Sequence, residues 1–169
     1  MCLLILRPIC LISVDDLQMC TVVMLLTASS VVFAQPQNPP VRWEVAAGGN
    51  GHLYHAIFCS QDSSRVSWVQ ADSASNALGD WHLATIASAE ENTFVYSLVN
   101  GNPAFWNFDS PSANSEGPWL GGISSSNTAN DWQWVTGESW AYTNWAPLEP
   151  LSNGDALGLF GFQASMGPG

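Results

Sequence analysis

The chain contains no lysine, and its basic residues are Arg7, Arg42 and Arg65 alone. Fourteen acids stand against these three bases, giving a formal charge of −11. A surface of that sign repels phosphate backbones and anionic headgroups, which excludes nucleic acid and acidic membranes as natural partners. Charge is sparse altogether, at 10% of residues against about 25% in ordinary soluble domains. Acids without matching bases suit divalent cations, but composition alone favours the plainer reading of solubility.

Long apolar runs are also missing. Residues 2–6 and 20–26 are apolar, but Asp15 and Asp16 separate them, and neither run approaches the roughly 18 residues of a membrane span. The second run leads to Val32 and Ala34, small residues placed three and one before a cut between Ala34 and Gln35. Residues 1–34 therefore read as a secretory leader, with Met19 as an alternative start. Residues 35–41 read as a Pro-rich linker and 42–169 as the folded domain. Cys2, Cys10 and Cys20 belong to the leader, so Cys59 is left alone and no intrachain disulfide is expected after processing. Cys59 itself reads as a small buried hydrophobe.

Aromatic residues are what the chain has in plenty: nine Trp within a 47% apolar composition, enough for a real core in one domain. Gly48-Gly49-Asn50-Gly51 signals a tight turn, with a strand through Leu53, Tyr54, Ala56, Ile57 and Phe58. Trp68, Ala71, Ala74 and Leu78 recur at spacings of three and four, which predicts a helix over 67–78 stopped by Gly79. Ser88 and Glu91 have the spacing of a capping box, in which each satisfies the other's backbone, before a helix over 89–99. Phe94, Val95, Leu98 and Val99 are its inner residues. From Trp119 onward, short aromatic strands alternate with Gly, Asn and Pro turns. Helices first and strands after is an α+β arrangement.

Several segments in order carry a resemblance. Trp68, then Leu78-Gly79-Asp80-Trp81-His82-Leu83-Ala84-Thr85-Ile86, then Ser88-Ala89-Glu90-Glu91-Asn92, resemble the first half of a C-type lectin domain. Trp119-Leu120-Gly121-Gly122, Trp132-Gln133-Trp134-Val135-Thr136-Gly137-Glu138 and Tyr142-Thr143-Asn144-Trp145-Ala146-Pro147 resemble the second half. The match covers residues 42–169 and looks like bacterial secreted members. It implies a C-type-lectin-like fold: two helices packed on small antiparallel sheets with a long loop region, the last strands missing and one sheet edge left uncovered. It also implies that Trp145 is a core residue and that the glycines of Trp119-Leu120-Gly121-Gly122 permit close strand packing.

Sugar-binding members of that family hold calcium through a Glu-Pro-Asn loop with a cis proline, a downstream acid and a Trp-Asn-Asp triplet. Calcium takes six to eight hard oxygens, which is why such loops gather carboxylates and amides. The corresponding loop here is Glu149-Pro150-Leu151-Ser152-Asn153-Gly154-Asp155. The resemblance makes Glu149, Asn153 and Asp155 the candidate metal and carbohydrate ligands and Pro150 the cis proline. Leu151 replaces a ligand with a side chain that has no oxygen, and no Trp-Asn-Asp follows before Gly169. A plain surface turn is the competing reading of this loop.

Two classes of function follow. One is a secreted carbohydrate-recognition module, calcium-dependent in its intact form, with a glycan as partner. The other is a calcium-independent lectin-like module that binds a surface protein. An enzyme is not expected, since no nucleophile turn, phosphate loop or His/Cys metal cluster occurs. His52, His55 and His82 lack paired ligand spacing and read as surface or strand-filling residues.

Overall fold

The computed structural model describes residues 9–14, 39–58, 66–109, 114–125, 131–150 and 154–162. The Ala34/Gln35 junction, Met19, most of the linker, Cys59, Leu151, Ser152 and Asn153 lie outside the described residues. In chain order the elements are β1 (Ile9–Val14), β2 (Val41–Arg42), β3 (Leu53–Phe58), α1 (Trp68–Asn76), β4 (His82–Leu83) and α2 (Ala89–Ser97). Then follow β5 (Asn107–Asp109), β6 (Asn114–Ser124), β7 (Trp132–Trp134) and β8 (Ala156–Phe162). The result is α+β, with both helices ahead of the long strand β6.

The two helices and mostly antiparallel strands are as expected, and all the described strands join one hydrogen-bonded network. Its path is β2-β3-β1-β6-β5, with β4 on β1 and with β7 and β8 on β6. Eleven residues long, β6 can serve several partners along its length: β5 and β8 at its start, β1 at Trp119, β7 and β8 at its end. One side of β3 carries β1, a segment that reads as leader in the sequence.

Alternation along β3 divides the core. Tyr54 and Ala56 point to one cluster, with Val95 and Val99 from the second helical segment, Leu120 and Trp134. Ile57 points the other way, to Ala71 of α1 and Leu83. Three tryptophans are pinned by their ring N–H groups to backbone carbonyls: Trp68 to Leu120 at 2.7 Å, Trp119 to Val66 at 2.9 Å and Trp106 to Val99 at 3.1 Å. An indole held at both its apolar body and its polar edge cannot drift, so these rings fix how α1, the end of α2 and β6 sit together.

A serine caps each helix: Ser88 as expected, and Ser67, which the spacing placed within the helix. Ser67 Oγ accepts from Gln70 N while Gln70 Oε1 accepts from Ser67 N, a reciprocal box that closes the start of α1. At α2, Ser88 Oγ accepts from Glu91 N at 3.1 Å. Glu91 does not reach back to Ser88 as the spacing suggested. Its Oε2 accepts from Ala87 N at 2.7 Å, and its Oε1 accepts from the Tyr54 hydroxyl and from Asn50 Nδ2. The Asn50 amide also donates to the Tyr54 oxygen at 2.8 Å. One buried carboxylate thus ties the glycine turn, β3 and the start of α2 into a single network. Leu78 is the other departure: α1 ends at Asn76, so Leu78 falls in the turn before Gly79 and is 41% exposed. Gly79 takes φ 91°, a left-handed conformation that a side chain resists.

Burial pushes the Tyr54 hydroxyl well above the usual phenol range, reinforced by its hydrogen bond to Glu91. A raised folded-state pKa gives stability that is complete below the unfolded value, near 10, and lost as pH rises toward the folded value. Unfolding free energy is therefore expected to fall by up to about 1.4 kcal/mol per pH unit above pH ~10 from this group. Urea unfolding of wild type and Tyr54→Phe from pH 9 to 11.5 checks it. The variant is expected to lose this component of the slope, and equal slopes would contradict the assignment.

Candidate functional site

Glycine placement in β6 creates room for the aromatic cluster. A Cβ on Gly122 would lie 2.8 Å from the Leu157 side chain and 3.2 Å from the Trp140 ring. Without one, Leu157 of β8 and Trp140 of the following loop can lie against the strand. Trp132 and Trp134 alternate with exposed Gln133 on β7, so both indoles go to the same, buried side. Trp140 meets them there, with ring centroids 4.3 Å from Trp134 and 5.8 Å from Trp132. Trp145 completes the cluster at 5.1 Å from Trp132 and 6.1 Å from Trp140. It is half-buried, part of a wall rather than a closed core.

These rings line a cavity of about 610 Å³ that opens beside the Glu149–Pro150 loop. Tyr96 and Asn92 of α2 reach it from one side, and Leu157 and Leu159 of β8 from another. Tyr142, Thr143 and Asn144 come from the loop after Trp140. Its chemistry is a set of π faces and aliphatic side chains with a few neutral polar groups. Glu149 is the one acid among its described lining residues. Trp132 and Trp134 also each carry a buried indole N–H with no acceptor among the described residues. A sealed donor of that kind costs about 1–3 kcal/mol until an acceptor meets it.

The loop residues fall as follows. Glu149 is exposed, its N–H closes a turn onto Ala146 O at 2.9 Å, and the Glu149–Pro150 peptide bond is cis. Leu148 just before it is 90% exposed at φ 74°, a left-handed conformation unfavourable for a branched side chain. Gly154 and Pro150 line the cavity. Asp155 is exposed, and its carbonyl accepts from Ser124 N at 2.9 Å, which anchors the loop to the end of β6. Ser124 Oγ in turn donates to Asp131, whose second oxygen accepts from Ser125 Oγ at 3.0 Å. Asn153 is outside the described residues.

Glu149 and Asp155 are hard-oxygen donors of the right kind for calcium, but two carboxylates fall well short of six to eight ligands. Among the described residues, no three His, Cys, Asp or Glu side chains gather as a metal group requires. No binding step is therefore derived through an ion.

The other acids have local duties. Glu91 is buried in the Tyr54 network and Glu90 sits in the first turn of α2. Burial pushes the Glu138 carboxyl up, but hydrogen bonds with Thr85 and Thr136 and the charges of His82 and His52 outweigh it, leaving it below the usual carboxylate range.

Sequence reasoning found the loop and missed the cavity. The aromatic residues were legible as a set, but each was read singly as core, and nothing in the spacing put Trp140 between the other three. Among the described residues, no helix is long and apolar enough to cross a membrane. No family model, curated protein or solved structure matches the chain.

Proposed function

We propose that the protein is a secreted carbohydrate-recognition module of C-type lectin type, with the tryptophan-lined cavity beside Glu149 and Pro150 as its ligand site. The observation that carries this reading is the joining of an aromatic cavity to a rim of amide, hydroxyl and carboxylate groups. A pyranose presents one apolar C–H face and a belt of hydroxyls, so π faces and neutral polar groups are its natural counterparts. The net charge of −11 and the absence of lysine favour a neutral ligand over an anionic one. The resemblance implies calcium at Glu149, Asn153 and Asp155, but the two described carboxylates fall well short of a calcium site, so the proposed contact rests on the rings and the rim.

The second reading, a calcium-independent module that binds a surface protein, has one observation in its favour. Leu148 holds a 90% exposed apolar side chain in an unfavourable backbone conformation at the tip of the same loop. Protein interfaces use such side chains as anchors.

Tryptophan emission reports on both. Titration with neutral mono- and disaccharides is expected to shift the emission of the wild type, and Trp145→Ala is expected to weaken binding at least tenfold, on the order of 1.4 kcal/mol. A saccharide response that survives Trp145→Ala unchanged would move the ligand away from the cavity. No response to any saccharide, with binding to a surface protein lost in Leu148→Ser, would establish the second reading instead.

A further inference from the structure

Strand β1 stands inside the sheet, not at its margin. Each of its residues faces a β3 residue, from Ile9 opposite Phe58 to Val14 opposite Leu53. On its other side Cys10 faces Trp119 of β6, and Ile12 and Ser13 face Leu83 and His82 of β4. Backbone groups in such a position are paired in both directions. Removing β1 would strip partners from the whole of β3, including buried Tyr54, His55, Ala56 and Ile57, as well as from β4 and Trp119.

Everything else in the described fold lies within residues 39–162. Strand β1 joins it only through residues 15–40, the stretch holding the small residues before Gln35. A cut at Ala34/Gln35 would therefore sever the tether of a central strand and leave every other described element on one chain. Backbone pairing along a sheet edge is itself a recognition mode, in which main-chain bonds supply affinity for an extended segment.

We infer that the groove between β3 and the β4–Trp119 side is a strand-binding site whose occupant is the chain's own Ile9–Val14 segment. In the uncut chain the segment is held in cis at high effective concentration. Once the chain is cut after Ala34, the same segment becomes a dissociable ligand that an identical extended strand can replace. The natural cut rests on the leader reading of the proposed function. The groove does not, so the two can fail separately.

The test uses the full chain with a site-specific protease sequence inserted between Ala34 and Gln35. A labelled peptide of residues 7–16, with Cys10 replaced by serine, is offered before and after cleavage while amide exchange is followed over Leu53–Phe58. The uncut chain is expected to exclude the peptide and to protect those amides. The cut chain is expected to take up the peptide by exchange and regain the uncut level of protection, whereas an Ile12→Pro peptide is not retained. Ile12 is flanked on both sides, so its proline lacks a ladder donor whichever neighbour it served. In the uncut chain, Ile12→Pro is expected to speed exchange over Leu53–Phe58 on the order of tenfold or more, with α2 unaffected. The inference is overturned if the cut chain ignores the peptide, or if Ile12→Pro leaves Leu53–Phe58 protection unchanged. Secreted protein that retains residues 1–34 would count against the leader and leave the groove standing.

Discussion

Gly121→Ala is expected to destabilise the protein by about 3 kcal/mol or more, lowering the melting temperature by roughly 10 °C. A Cβ at this position would lie 2.6 Å from the Leu83 carbonyl oxygen and 2.9 Å from the Val135 side chain. The nearest atom is backbone, and Leu83 is fully buried, so no flexible side chain can swing aside. Relief requires β6 to move away from β4. That movement would stretch the bonds from Gly121 N to Ala84 O and from Val135 N to Gly121 O, each 2.8 Å. Ordinary overpacking costs about 1–3 kcal/mol, and two strained backbone bonds raise the figure here. Gly101→Ala is the matched control, because a Cβ there meets nothing within 4 Å. Its effect is expected within about 0.5 kcal/mol of zero. Thermal unfolding of both variants separates the steric explanation from a general sensitivity to losing glycine.

The second large effect is expected at Glu91, which is 4% exposed and accepts hydrogen bonds from three separate segments. Glu91→Ala leaves the buried Tyr54 hydroxyl without its acceptor and takes one acceptor each from the Asn50 amide and the Ala87 N–H, which lie on exposed residues. The stranded buried hydroxyl costs about 1–3 kcal/mol and the two donors that water can reach cost less, so with the lost packing a net loss of about 3 kcal/mol is expected. Glu91→Gln keeps the shape but turns one acceptor into a donor. It is expected to lose about 1–2 kcal/mol, less than the alanine variant. Urea unfolding near neutral pH gives the order. An alanine variant as stable as the glutamine variant would mean that packing, not hydrogen bonding, is what Glu91 supplies.

These two residues also show what a sequence can and cannot disclose. Gly121 was readable through the resemblance, which implies that the glycines after Trp119-Leu120 permit close strand packing. The apolar spacing from Trp68 to Ala74 and Ser88 before the second helix were also informative, since helix faces and caps are local. Glu91 was half readable. Its distance from Ser88 pointed to the capping site, but its chief partner Tyr54 is 37 residues away, and only the fold brings them together. Leu78 was misplaced by one turn because hydrophobic spacing does not mark where a helix stops.

Strand β1 was the hardest to foresee. A short apolar run near an N-terminus has the composition of both a leader and a buried strand, and no periodicity separates the two. The candidate site divides the same way: Glu149, Pro150 and Asp155 follow one another in the loop, while the cavity arises from β7, β8, α2 and the Trp140 loop meeting in space.

Recognition of a neutral saccharide at this cavity is the proposal on which the function rests. Calorimetric titration of the full chain with a panel of neutral saccharides, in calcium and again after chelation, tests it most directly. Saturable heat is expected for at least one saccharide, whether or not calcium is chelated, with affinity at least tenfold weaker in Trp145→Ala. No saturable heat from any saccharide in either condition, from protein with a normal unfolding transition, would contradict it.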